Sequence, residues 1–174
     1  MKKSAFLLAL GLVAACGLSP AVAGEPTDAD RAGFAKFQAD FVAAWNTHEA
    51  GTLAALWDEN GDLVNPEGVS ATGRSSIEAL LASDEGTGGR FGNTTFHVDE
   101  SSFRLVAPDV ALADWRVTLD FSLSNSEAVM PPQSDRVVFV LVRHGDTWAV
   151  AAARPTPFPK VEYPAVTIED GRDE

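Results

Sequence analysis

The spacing of hydrophobic positions changes once along this chain, near residue 91, and divides it into a helical half and a stranded half. In the first half Phe34, Phe37, Phe41, Val42 and Trp45 recur at three- and four-residue intervals. That is the apolar stripe of an amphipathic helix. Thr27, with Asp30 three residues on, supplies its N-terminal cap, and the helix is expected to end at Trp45-Asn46. A second, short helix is expected over 48–57, with Leu53, Leu56 and Trp57 on one side. An acidic turn then leads into a strand that stops at Asn65-Pro66-Glu67-Gly68, and a return strand reaches Gly73-Arg74. Residues 75–83 read as a third helix with Ile77, Leu80 and Leu81 inward, and 84–89 as a glycine-rich acidic loop.

After residue 91 the period becomes two. A strand is expected over 96–106, irregular near Ser101-Ser102, with Pro108-Asp109 turning the chain. Over 110–121 the alternation is clean. Ala113, Trp115, Val117, Leu119 and Phe121 share one face, and Asp114, Arg116, Thr118 and Asp120 the other. A polar loop over 125–134 precedes residues 136–143, apolar on both faces as in a central strand. His144-Gly145-Asp146 turns into a last strand over 148–153. Helices followed by long strands predict an α+β fold. A curved antiparallel or mixed sheet would wrap the N-terminal helices into a cone with a cavity between them.

Both ends of the chain stand apart from this pattern. Lys2 and Lys3, an apolar run over 5–15 and the small residues Ala21-Val22-Ala23 read as a signal peptide cleaved after Ala23. The run is short for a membrane span. The sole cysteine, Cys16, follows Val13-Ala14-Ala15 and offers the alternative of a lipobox, with lipidation at Cys16. The expected organisation is a signal peptide over 1–23, a linker over 24–29, one domain over 30–158 and an acidic, proline-containing tail over 159–174. The product is expected in the bacterial periplasm or secreted, touching a membrane only through a lipid anchor.

Charge narrows the partners. Removing Lys2 and Lys3 leaves 11 basic residues against 25 acidic ones, a net charge of −14. Phosphate backbones would be repelled, which argues against a nucleic-acid partner. The three histidines are scattered, so no metal set is expected. No glycine-rich phosphate motif follows a strand, and there is no G-x-S-x-G elbow, so no cofactor is implied.

The run Ala44-Trp45-Asn46, Leu53-Ala54-Ala55-Leu56, Asp62-Leu63-Val64-Asn65-Pro66 and Gly73-Arg74 resembles the start of a SnoaL-like domain. The ending from Phe139 through Arg143-His144-Gly145-Asp146-Thr147-Trp148 to Ala152 resembles its last hairpin. Together they resemble the nuclear transport factor 2-like superfamily, with its cystatin-like α+β barrel, and within it the group named SgcJ/EcaC oxidoreductases. The resemblance covers about residues 30–158. It implies a pocket, and it leaves the chemistry open, since the superfamily includes isomerases, cyclases, dehydratases, epoxide hydrolases and association domains.

In the ketosteroid isomerase-like members a carboxylate base precedes the proline that ends the first strand; here that position is Asn65, an amide with no proton to exchange near neutral pH. The tyrosine those enzymes carry on the first helix falls at Phe41, and the only tyrosine, Tyr163, lies in the tail. Asn65 is then either a ligand hydrogen-bonding group or a turn residue before Pro66. Asp114, Arg116 and Asp120 match in type the water-activating group of related epoxide hydrolases, or form an ordinary ion-pair ladder. His97, beside Asp99, is either a pocket base or a plain strand histidine. Arg74 is expected to pair with Asp62 or Glu67, and Arg154 to close the pocket mouth.

The expectation is therefore an exported, homodimeric domain that binds a small apolar or aromatic molecule among Phe41, Trp45, Leu56, Asn65, Trp115 and Arg154. The alternatives are a cofactor-independent cyclase, isomerase or hydrolase using His97, or Asp114 with Arg116, and a non-catalytic dimerisation module.

Overall fold

The computed structural model describes residues 24–85, 89, 91–121 and 131–157. The expected export segment with Cys16, and the tail with Tyr163, lie outside the described residues.

Helix α1 spans Asp28–Trp45 and begins at a complete capping box. The Thr27 hydroxyl accepts from Asp30 N at 3.2 Å, and Thr27 N donates to Asp30 Oδ2 at 2.9 Å. Such a cap stabilises a helix by about 1 kcal/mol. Phe34, Phe37, Phe41 and Ala44 form its buried stripe. The helix stops where Asn46 turns its amide sideways. Asn46 Oδ1 accepts from Phe96 N at 2.9 Å, and Nδ2 donates to Phe96 O at 3.3 Å. Phe96 lies on an edge strand, so this side chain satisfies backbone groups that no strand would. His48 takes a left-handed φ of 57° and buries Nδ1 without a partner among the described residues.

The second helix is shorter than its pattern suggests. α2 covers only Ala50–Ala54, and Trp57 opens strand β1, Trp57–Val64. Leu56 O accepts from Val150 N at 2.9 Å, and the Arg74 guanidinium donates to Trp57 O at 2.6 and 3.2 Å. Sheet pairing has thus overridden helical spacing, as it does where a helix is too short to stand alone. Arg74 is therefore a backbone clamp; Asp62, one of its expected partners, pairs with Arg154.

β1 pairs antiparallel with β2, Ser70–Thr72, and parallel with β6, Thr147–Pro157. Its register against β6 shifts between Trp57 and Asp62. Gly61 sits in that shift, where a Cβ would lie 2.6 Å from Val150 O. Between β2 and the long strands comes α3, Arg74–Glu85, with Ile77 and Leu81 buried. It runs past the expected end at residue 83, which puts Asp84 on the last helical turn rather than in a loop.

β3 (Thr94–Ala107), β4 (Val110–Phe121) and β5 (Gln133–His144) complete a mixed six-stranded sheet of order β2-β1-β6-β5-β4-β3. The irregularities of β3 fall between Val98 and Glu100 and between Leu105 and Ala107, not at Ser101-Ser102. The fold is α+β, with the curved sheet closing on α1. Its inner face carries Trp115, Phe139, Leu141 and Val150, all fully buried. Phe37 and Phe41 of α1 meet Trp115 and Phe139 ring to ring.

Candidate functional site

The aromatic cluster fills most of the cone and leaves a cavity of about 60 Å³ toward one end. α1 contributes Phe41 and Trp45, β1 contributes Trp57 and Leu63, and Phe91, Phe96, Val117, Val137 and Phe139 close the walls. Phe41 is the hub. Its ring packs edge-on to Trp115 at 5.4 Å and to Phe139 at 5.2 Å, and it touches Phe96 at 5.7 Å. A phenylalanine suits this place because a tyrosine hydroxyl would need a buried acceptor.

Polar groups enter the lining at Asn65, Asp84 and Asp135. Asn65 is buried, and both ends of its amide are committed. Oδ1 accepts from Val69 N at 2.8 Å, closing the turn after β1, and Nδ2 donates to Asp84 Oδ2 at 3.1 Å. The two sequence alternatives for Asn65 thus meet in one residue, which makes the turn and holds a carboxylate at the cavity. Asp84 also accepts from Ser83 Oγ at 3.3 Å, and its carbonyl accepts from Phe91 N at 2.8 Å. Gly89 passes so close that a Cβ there would lie 2.5 Å from Asp84 O, so only glycine fits beside this end of α3. Asp135 is 4% exposed, and Gln133 Nε2 donates to its two oxygens at 2.8 and 3.1 Å.

Neither carboxylate was singled out from the sequence. Asp84 lies in an acidic, glycine-rich stretch whose composition predicts a loop. Asp135 had a usable signal, since it shares inward parity with Val137, Phe139 and Leu141, one step upstream of the expected strand.

Phe41, Trp45 and Asn65 line the cavity; Leu56, Trp115 and Arg154 do not. Leu56 sits in the turn before β1. Trp115 is fully buried in the ring cluster, its Nε1 without an acceptor among the described residues. Arg154 lies on the outer face, where strand alternation sends it, and pairs with Asp62. It therefore closes no pocket mouth.

The candidate bases also face outward. His97 Nε2 lies 3.2 Å from Asp120 with both side chains about half exposed, and Asp99 accepts from Thr118 Oγ1 at 2.8 Å. Arg116 pairs with Glu100, and Asp114 with Arg136. The Arg136 hydrogen bond holds the Asp114 carboxyl below its ordinary range. The Asp114, Arg116 and Asp120 ladder is thus a solvated ion-pair surface, and a base from this face cannot reach a molecule in the cone. Among the described residues no three His, Cys, Asp or Glu side chains are grouped to hold a metal, and no helix is long and apolar enough to cross a membrane.

The sequence matches no protein-family model and no curated protein. Solved structures do match. An uncharacterised cystatin-like protein from Caulobacter vibrioides superposes with a TM-score of 0.63 at 21% identity, covering 75% of this chain and 90% of that one. A nuclear transport factor 2-like protein from Novosphingobium aromaticivorans gives 0.61 at 18% identity, over 76% and 84% of the two chains. A protein from the same organism, provisionally described as a scytalone dehydratase, gives 0.62 at 17%, over 75% and 85%. The chain therefore has the cystatin-like α+β fold of these structures, the fold that the sequence resemblance implied. At these identities the likeness establishes fold, and the site has to speak for function.

Proposed function

We propose that this chain is an exported pocket domain that binds a small apolar or aromatic molecule in its cone. The observation that carries the reading is the aromatic-walled cavity with its polar groups gathered from Asn65, Asp84 and Asp135. Such a composition, apolar walls with a few placed polar atoms, is what ligand sites share. The size sets a bound. A cavity of about 150 Å³ takes benzene, so the 60 Å³ here accepts a short alkyl group or the edge of one ring as it stands. A whole ring requires the cavity to widen. Thermal-shift screening with single-ring and short-chain compounds tests this. Stabilisation of the protein by some of them, lost in Trp45→Ala, supports the reading; no shift with any compound sinks it.

A second reading, proton transfer on the bound molecule, is favoured by the carboxylates in the lining. Its base would be Asp84 or Asp135 rather than His97 or Asp114. Incubating small aromatic ketones with the protein in D2O tests it: deuterium uptake at the α-carbon, lost in Asp84→Asn or Asp135→Asn, supports catalysis, and uptake no faster than in buffer excludes it for those ketones.

We further propose that the domain forms a homodimer through the outer face of its sheet. Leu112, Val138, Val140 and Val142 are only partly buried there, beside the Asp114–Arg136 and Asp62–Arg154 pairs. Mixed charge around an apolar strip suits a self-complementary interface. Light scattering reads the mass directly; a monomer at all concentrations tested contradicts it.

A further inference from the structure

We infer that the ligand of this cavity is a carbonyl compound, and that the indole N–H of Trp115 donates to its carbonyl oxygen. This rests on the pocket reading above and names its ligand class. Trp115 is fully buried on the inner face of β4, and its Nε1 has no acceptor among the described residues. The two tryptophans that line the cavity each have one: Trp57 Nε1 donates to Asp62 O at 3.2 Å, and Trp45 Nε1 to Thr94 Oγ1 at 3.5 Å. The rings packed on Trp115 belong to Phe34, Phe37, Phe41 and Phe139, whose faces offer an N–H only a weak contact. A buried donor without an acceptor is costly and rare in folded proteins.

The cavity lies one ring away. Phe41 and Phe139 pack on Trp115 at 5.4 and 4.7 Å, and the same two rings line the cavity, as does Val117, the next inward residue of β4. A whole ring does not fit in 60 Å³, so a ring that binds displaces part of the wall. Turning Trp45 or Trp57 aside gives up its hydrogen bond. Displacing Phe41 gives up none, and it brings the ligand to the indole of Trp115. A hydrogen bond to a ligand usually replaces one that the protein already makes, so its net gain is small. Here the indole loses no partner. An indole N–H only donates, so the ligand atom must accept. A hydroxyl would also bring a hydrogen that the phenylalanine rings cannot accept, which favours a carbonyl oxygen.

Three probes of one shape test the inference: acetophenone, α-methylstyrene and 1-phenylethanol, which differ only in carrying C=O, C=CH2 or CH–OH. In the ¹⁵N-labelled parent protein, acetophenone is expected to move the Trp115 indole proton downfield, and α-methylstyrene is not. In calorimetric titration the ketone is expected to bind more tightly than the alcohol. Trp115→Phe removes the N–H and keeps an aromatic ring, and a thermal melt checks that it is folded. It is expected to weaken acetophenone about ten-fold and to leave α-methylstyrene unchanged. If the Trp115 signal stays in place while those of Trp45 and Trp57 move, or if Trp115→Phe alters both affinities alike, the inference is overturned and the pocket reading survives. An alcohol that binds as tightly as the ketone overturns the carbonyl assignment. If none of the three binds folded protein, the inference falls, and the thermal-shift screen above decides the pocket reading separately.

Discussion

Asn65, in the turn after β1, and Asp84, on the last turn of α3, are joined by one hydrogen bond of 3.1 Å from Nδ2 to Oδ2. In the ketosteroid isomerase-like proteins that the sequence resembles, the resemblance puts a carboxylate at the position of Asn65. Here an amide stands there and holds a carboxylate delivered by a different element. Asn65→Asp would set two carboxylates against each other and remove the donor. The variant is expected to lose about 1–3 kcal/mol of stability at pH 7. The sign of its pH dependence is fixed: one carboxyl of the pair has a raised folded-state pKa, so the penalty shrinks as pH falls and that group protonates to donate. Thermal midpoints of variant and parent at pH 4 and pH 7 check this; an equal deficit at both would contradict it.

How the sequence led to this site, and where it stopped, follows from the kind of signal each residue carries. Phe41 and Trp45 sit on a stripe that only a helix explains, so their inward direction was readable. The same holds for the inner face of β4. Spacing places Trp57 on a helix, because spacing alone carries no sign that Val150 N–H donates to the Leu56 carbonyl. Asp84 was missed because the end of α3 is fixed by Asn65 and Phe91, contacts 19 and 7 residues away. Trp115 shares the correct face yet lies outside the cavity, because rings from α1 occupy the space in front of it.

Acid sensitivity should come from three carboxylates whose folded-state pKa values are depressed. Asp30 is lowered first by the Thr27 hydroxyl and backbone, then by Arg143; Asp58 by Asn60 N–H and His144; Asp114 by Arg136. A depressed carboxyl stabilises the fold above its unfolded value, about 3.9, and that stability is lost as pH falls through the folded value. Urea midpoints are therefore expected to hold from pH 7 to near pH 5 and to drop below pH 4. Thr27→Ala should flatten that drop, and an unchanged slope would show that the Asp30 cap contributes nothing to it.

Phe139 and Trp45 should separate stability from binding. Phe139 is fully buried among Phe37, Phe41 and Trp115, so Phe139→Ala is expected to cost about 3–5 kcal/mol. Trp45 is half-buried at the cavity wall, and Trp45→Ala should cost clearly less while abolishing ligand-induced stabilisation. Denaturant curves give the first quantity and thermal shifts the second. Equal stability losses in the two variants would contradict this placement.

Export has a simple readout. We propose secretion with cleavage after Ala23, and intact mass of the processed protein should then correspond to a chain starting at unmodified Gly24. A lipidated N-terminal Cys16 would instead show the lipobox in use, and an uncleaved chain would exclude both.

The central claim is that the aromatic cavity is a ligand site, and the indole N–H signals of the four tryptophans test it most directly. Trp45 and Trp57 line the cavity, and Trp148 lies away from it against Phe103 and Arg143. In a ¹⁵N-labelled sample titrated with benzylamine and with benzyl alcohol, the Trp45 and Trp57 signals should shift saturably with at least one compound while that of Trp148 stays in place. No saturable shift at Trp45 or Trp57, or a shift confined to Trp148, would contradict the account.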